Sequence, residues 1–335
     1  MERSRRPIGI VHAGLGQIGL SIARLAAERD TLRSVAAFDP GSDVAGRTLA
    51  ELCGGAARSV LVRPTLKDAL QDLDANGAQV ALHAVSSQVA AVETQLVALV
   101  EAGLNVVTTT EELIHPYARS EAAAMRIDAA ARANGVAVFP AGVNPGILMD
   151  RLPVYLTSLC LRVRTVEARR LVDLSRRRQA LRRKMGVGCP AAEVESRIAN
   201  GTIGHVGLVE SLLYVAACMD WRMGPITERL SPIVATSVVE RAGEKVLPGC
   251  VLGLSHTVEA SDPQGHRIAL SLTMRLDAAE PFDEIEIDSD PPVHVRFPRG
   301  VDGDEATAAT VLNAIPFAAT APPGLITRLA VPSGP

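Results

Sequence analysis

The spacing of apolar residues changes period once along this chain. Up to about residue 150, strand-length apolar runs alternate with segments whose apolar positions recur at helical spacing. The runs IGIVHA, LRSVAAF, AQVALH, LNVV and VAVF read as buried strands. LSIARLAAERD, VAAVETQLVALVEAG and HPYARSEAAAMRIDAAARANG read as the helices between them. From Ile233 the period shortens to two. IVATSVVER, CVLGLSHTVEASD, HRIALSLTMRLD, FDEIEIDSD and PVHVRFP alternate apolar with polar and are parted by Gly, Pro and Asp turns, which predicts an antiparallel sheet. Between the two regions lie a short helix, one long strand ending RVRTVEARRLVDLS, a basic stretch RRRQALRRKMGVG and two helices.

The first strand runs into Gly14-x-Gly16-x-x-Gly19, and a helix follows at once. A dinucleotide site needs this order: Gly14 for the tight turn, Gly16 so that the backbone can approach a pyrophosphate, and Gly19 for close helix–strand packing. Gln17 and Ile18 lie within the turn, at a helix N-terminus whose unpaired N–H groups favour negative charge. The second strand ends in Asp39, about 20 residues past the glycines, where an acid can accept both ribose hydroxyls of an adenosine. Arg47 lies close enough in sequence to reach an adenosine 2′-phosphate, so NAD and NADP both stay open as cofactor. The predicted fold is an α/β Rossmann-fold domain over residues 1–150 and an α+β domain with a largely antiparallel sheet over 151–304. The segment from about 305 to 335 returns to pack on the first domain.

Ligands of open α/β sheets bind beyond the carboxyl ends of the strands. Candidate groups there are Ser86, Thr110, the adjacent pair Glu111–Glu112, and the turn Asn144–Pro145–Gly146. On residue type alone, Glu111 and Glu112 fit a catalytic pair and a helix cap with acids in its first turn equally well. His205 sits in the glycine-bracketed loop GTIGHVG, where backbone can approach a ligand; His83, inside a strand, reads instead as a core histidine.

Composition narrows the function classes. Apolar residues make up 47% of the 335, so the chain holds enough core for two domains. A formal charge of −3 and 3% aromatics argue against a nucleic-acid partner despite the basic stretch. No apolar run is long enough for a membrane span. Five dispersed cysteines without a CxxC spacing fit reduced thiols and a cytoplasmic protein. No His, Asp or Cys cluster has metal-ligand spacing, so no metal is expected.

Taken together, GLGQIG (14–19), TTTEEL (108–113), AGVNPGILMD (141–150), VDLSRRRQALRRKMGVG (172–188), GHVGLVES (204–211) and DGDEATAATVLNAIP resemble the 2,4-diaminopentanoate dehydrogenase family and its relatives, the native NAD(P)-dependent amine dehydrogenases. Val209 stands where that pattern has Pro. The resemblance implies a Rossmann domain related to that of dihydrodipicolinate reductase, a substrate pocket between the domains, and a homodimer formed through the second domain's sheet. It implies a catalytic glutamate on Glu111–Glu112, with Glu112 favoured. It also implies substrate contacts from His205, Asn144 and either Arg169 or Arg170, and a nicotinamide-side turn at Asn144–Pro145. The implied reaction is oxidative deamination of a primary amine or diamino acid to a carbonyl compound and ammonia, or reductive amination in reverse. Reduction of a cyclic imine and a non-enzymatic nucleotide sensor are the alternatives.

Overall fold

The structure is a computed structural model and describes residues 6–54, 57–73 and 77–328. It divides into two compact units. One runs to Gly146 and resumes at Asp302; the other is Ile147–Val301.

The first unit opens with β1 (Ile8–Ala13), α1 (Gln17–Ala27), β2 (Leu32–Phe38), α2 (Leu49–Cys53), β3 (Val62–Arg63) and α3 (Leu66–Gln71). It continues with β4 (Val80–His83), α4 (Val89–Glu101), β5 (Asn105–Thr108), a 3-10 turn at Glu111–Ile114, α5 (Glu121–Ala133) and β6 (Ala137–Pro140). β4 and β6 are buried at every residue. Their unbroken apolar runs follow from helices covering both faces of a parallel sheet. Val92, Leu96 and Leu99 of α4, one helical face, pack with Val11, Ala81 and Val106 on one side of the sheet. Ile22 and Ala26 of α1 pack with Ile10, Val80, Leu82 and Val107 on the other.

The second unit comprises α6 (Arg151–Thr157), β7 (Arg162–Asp173), α7 (Gln179–Lys184), α8 (Ala191–Ala199), α9 (Leu208–Cys218), β8 (Thr227–Val234) and the small hairpin β9 (Val239–Arg241)–β10 (Glu244–Val246). β11 (Val251–Ser261), β12 (Arg267–Arg275), β13 (Phe282–Asp290) and β14 (Val293–Pro298) complete it. The main sheet has the order β14-β13-β7-β12-β11-β8. It is largely antiparallel, as expected, except that its central pair β7–β12 runs parallel. IVATSVVER does not form one strand. β8 starts earlier, at Thr227, and holds Pro232; it is an edge strand, where a missing N–H is tolerated.

Alternation decides the two faces of this sheet. Val166, Ala168, Leu270, Leu272, Ile285 and Ile287 are buried, and α6 and α9 pack on these strands. The opposite face carries a lattice of charge: Arg164 with Asp288 and Asp290, Arg169 with Glu284 and Glu286, and Arg267 with Glu167 and Glu259, all within 2.6–3.1 Å.

The chain then returns to the first unit through α10 (Gly303–Ala318), N-capped by Asp302, and β15 (Gly324–Leu325). Val311, Leu312 and Ile315 of α10 join the core beside α1, and β15 pairs in parallel with β6. The completed sheet has the order β15-β6-β5-β4-β1-β2-β3. Its strand order reverses between β1 and β4, the crevice where doubly wound sheets take ligands.

Candidate active site

In the first unit, five strand ends carry the candidate groups on one edge of the sheet: Gly14 after β1, Asp39 after β2, Ser86 after β4, Thr110 after β5 and Asn144 after β6. The three glycines have three different physical reasons. Gly14 has φ +88° and a Cβ there would lie 2.6 Å from the Ala84 carbonyl oxygen. A Cβ on Gly19 would lie 1.9 Å from the Gly14 oxygen, so α1 sits directly against the turn. Gly16 meets nothing within 4 Å. No neighbour in the protein demands a glycine there, which leaves open space beside the N-terminus of α1. That terminus has neither a side-chain cap nor an acid in its first turn. Its N–H groups are therefore available to an anion, as a pyrophosphate requires.

Asp39 is fixed by two backbone amides. Leu15 N donates to Oδ2 at 2.6 Å and Gly41 N to Oδ1 at 2.7 Å. The carboxylate thus ties the glycine turn to the end of β2, and its remaining lone pairs can still accept from a ribose. Arg47 is exposed, with its guanidinium on the carbonyls of Asp43 and Glu51 at 3.3–3.4 Å. Ser86 is half-buried in the β4–α4 loop, where its Oγ accepts from Gln88 N at 3.3 Å.

Glu111 and Glu112 open the 3-10 turn that follows Thr110, and both are partly buried. Glu112 also has a structural duty. Its Oε2 accepts from Val89 N at 2.7 Å, and its own N–H donates to Ser87 O at 3.1 Å. It caps α4 across the sheet edge, a different helix from the one residue type suggested, while Thr110 makes no side-chain cap to the turn it precedes.

The turn after β6 is compact. Asn144–Pro145 is a cis peptide, Gly146 has φ +136°, and a Cβ on Gly146 would lie 2.3 Å from Gly142 O. Asn144 is 8% exposed, and its Oδ1 is buried with no hydrogen-bond partner. A buried carbonyl oxygen left in this condition costs about 1–3 kcal/mol, a cost that an N–H donor on a ligand removes. The open space at Gly16 and the orphaned oxygen of Asn144 are the two features that fit a dinucleotide.

In the second unit, His205 is partly buried between Gly204 (φ +127°) and Gly207 (φ +99°), the latter capping α9. Arg169 and Arg170 lie on opposite faces of β7. Arg169, on the charged face, pairs with Glu284 at 2.9 Å and Glu286 at 2.8 Å. Arg170, 6% exposed, pairs with Asp283 at 2.5 Å and donates to Val301 O at 3.1 Å. Asp283 in turn accepts from Val301 N at 2.7 Å. Both arginines are held by protein acceptors, and Arg170 in particular clamps the end of the unit.

Two polar groupings escaped sequence reasoning. Asp150, fully buried, caps α6 through Arg151 N at 2.6 Å and accepts from Ser211 Oγ at 2.9 Å. Glu210 and Tyr214, also buried, follow on α9. The signal was the polar pair Glu210–Ser211 inside an otherwise apolar helix. Glu284, Glu286 and His294 also converge, with potential metal-ligating atoms within 4.8 Å of one another. Hairpin register sets Glu286 opposite His294, which linear spacing does not show. Arg169 and Arg296, the latter 3.0 Å from Glu284, already neutralise this cluster. Burial alone would raise the Glu284 carboxyl, yet His294, Arg296 and Arg169 together hold it below its ordinary range. None of the five cysteines forms a disulfide. No helix among the described residues is long and apolar enough to cross a membrane.

Comparison with known proteins places both units. Residues 147–334 match the family model for the 2,4-diaminopentanoate dehydrogenase C-terminal domain. Over 249 residues the chain is 30% identical to 2,4-diaminopentanoate dehydrogenase from Acetoanaerobium sticklandii, covering 70% of this chain and 68% of that one. The fold is similar to that of an amine dehydrogenase from Mycobacterium smegmatis (TM-score 0.83, 21% identity, 96% and 94% of the two chains). It is more distantly similar to myo-inositol 2-dehydrogenase from Lactobacillus plantarum (TM-score 0.56, 12% identity, 94% and 88%).

Proposed function

The chain belongs to the 2,4-diaminopentanoate dehydrogenase family and is an NAD(P)-dependent oxidoreductase, and from that premise we propose that it oxidises a primary amine to a carbonyl compound and ammonia and runs the reverse reductive amination. The observation that carries this reading is the pair Glu111–Glu112 in the turn that begins three residues past the end of β5, on the ligand edge of the sheet. Oxidation of a hydroxyl wants a basic lysine or histidine at that place. Oxidation of an amine wants carboxylates.

The cofactor, when bound along the glycine turn, supplies the hydride acceptor. The amine carbon gives up that hydride only after its ammonium has lost a proton, because the nitrogen needs a lone pair to form the iminium. A carboxylate within hydrogen-bonding reach holds the cation and takes the proton, then delivers water to the iminium carbon. Collapse of the resulting carbinolamine expels ammonia and leaves the aldehyde or ketone. The two acids divide this work. Glu112, fixed at the positive end of α4, holds the cation. Glu111 carries the proton. Asn144 Oδ1, buried without a partner, would accept an N–H donor of the cofactor's nicotinamide end. His205 is the substrate-side candidate of the second unit, which serves as substrate and homodimerisation domain. We place the enzyme in the cytoplasm on its five dispersed cysteines, none in a disulfide.

The test is NADH or NADPH formation with 2,4-diaminopentanoate and short alkyl amines, each against its matching alcohol, and the reverse reaction with ammonia and small aldehydes or cyclic ketones. Turnover with amines and not alcohols is expected. Turnover confined to alcohols, or tight cofactor binding with no turnover on the whole panel, overturns the proposal.

A further inference from the structure

His83 is the last residue of β4, paired in register with Thr108 at the end of β5. It is 1% exposed and points to the α4 side of the sheet. Burial drops its pKa to about 4, so the ring is neutral at physiological pH and carries one proton. Nε2 lies 3.2 Å from Gln95 Oε1 of α4, an oxygen that can only accept. The proton therefore sits on Nε2, and Nδ1 is an acceptor. Thr108 Oγ lies 3.0 Å from Nδ1 and donates to it. With its proton so used, Thr108 Oγ accepts from Thr110 twice, from the hydroxyl at 2.8 Å and the backbone N–H at 3.1 Å. One donation and two acceptances saturate a hydroxyl. The relay Thr110 → Thr108 → His83 → Gln95 thus has one direction throughout and ends at the residue before Glu111.

We propose that His83 is a positioning residue: through the acceptor Nδ1 it fixes Thr108 and Thr110, and with them the turn that carries Glu111 and Glu112. The inference rests on the reading of that pair as the groups that hold the amine and take its proton. Two ties then hold the turn to the same helix, the relay at Thr110 and the Glu112 cap two residues further on. With one tie cut, the other becomes a pivot. A misplacement of about 1 Å at reacting groups lowers turnover by up to about a hundredfold.

The two ring nitrogens can be replaced separately. In His83→Asn the amide oxygen takes the place of Nδ1 and keeps Thr108; in His83→Gln the amide reaches the place of Nε2 and keeps Gln95. With 2,4-diaminopentanoate and NAD+ as the probe, we expect His83→Asn to hold kcat within about threefold of the parent. His83→Gln is expected to lose ten- to a hundredfold with the cofactor KM unchanged. Both variants lose thermal stability. Thr108→Val, which cuts the relay at its next atom, should match His83→Gln in kcat, and the double variant should lose no more than either single one. A kcat that follows stability alike in the Asn and Gln variants, or full additivity with Thr108→Val, overturns the proposal and leaves a core histidine. If His83→Gln is too unstable to assay, Thr108→Val decides alone: a kcat like the parent's overturns the proposal. Glu111→Gln and Glu112→Gln, assayed beside them, separate the two readings. Unchanged turnover in both means the acids do not hold the amine and take its proton, whatever the histidine variants do.

Discussion

Glu112 Oε2 accepts the backbone N–H of Val89, the first residue of α4, at 2.7 Å. A residue of one strand end thereby caps the helix that follows the neighbouring strand. Removal of such a cap costs about 1 kcal/mol. We expect Glu112→Ala to lower stability by that amount in chemical denaturation, with Glu112→Gln retaining most of it. Glu111→Gln should reduce kcat by about 10²–10⁴-fold. A Glu111→Gln variant that turns over at the parent rate refutes the division of labour.

Asp39 joins the amides of Leu15 and Gly41 and stands where an adenosine ribose is expected. A carboxylate there repels a 2′-phosphate, and Arg47 is the only counterweight in the adjoining loop. Steady-state kinetics should give a higher kcat/KM for NAD+ than for NADP+. Asp39→Ser should shrink that ratio at least about tenfold, while Arg47→Ala enlarges it. A parent that prefers NADP+ contradicts this account.

His12 donates or accepts at 2.9 Å with Ser34 inside β1–β2, and like His83 it is held near pKa 4 by burial. Both fall below the ordinary value of 6.5, so the unfolded chain binds more protons than the native one between pH 6.5 and 4. Stability from these two groups is therefore complete above pH 6.5 and is lost as pH falls toward 4, on the order of 3 kcal/mol for each. Melting temperature followed from pH 7.5 to 4.5 should fall with a slope shallower by one proton in His83→Asn. An identical slope in parent and variant refutes it.

Arg170 and Asp283 are both buried, and together they hold the backbone of Val301. Removal of one partner from a buried pair strands the other charge, at a cost of about 3–5 kcal/mol. Arg170→Met should destabilise the protein by that order. Arg169→Met, on the solvent-exposed face, should cost no more than about 1 kcal/mol. If Arg170 instead serves the substrate, its replacement raises the amine KM without a matching loss of stability.

The parts of this molecule that were legible in sequence are those fixed by local chemistry. Apolar runs bounded by glycines gave β1, β4, β5 and β6, because a strand covered on both faces has no polar side to show. The glycine turn was legible because Gly14 and Gly19 each answer a steric demand of the turn, while Gly16 keeps the space beside the α1 N-terminus open. The remainder depended on register. Whether Arg169 or Arg170 faces solvent is decided by the pleat of β7, and Glu286 finds His294 only through the β13–β14 pairing. The capping role of Glu112 needed the neighbouring strand end as well, which is why residue type alone left it balanced. His83 read as core because it is core; its links to Gln95 and Thr108 appear only once the fold sets those residues beside it.

The return of α10 and β15 to the first unit has a consequence for synthesis. While residues 147–301 are still emerging from the ribosome, the parallel sheet ends at β6 with an unpaired edge, and Ile10, Leu82 and Val107 lack one of the two helices that cover them. Bare edges and uncovered apolar faces invite wrong partners. The nucleotide-binding half of this chain, although made first, is finished last. A chain stopped at Val301 should therefore be insoluble, and addition of residues 302–328 should rescue it.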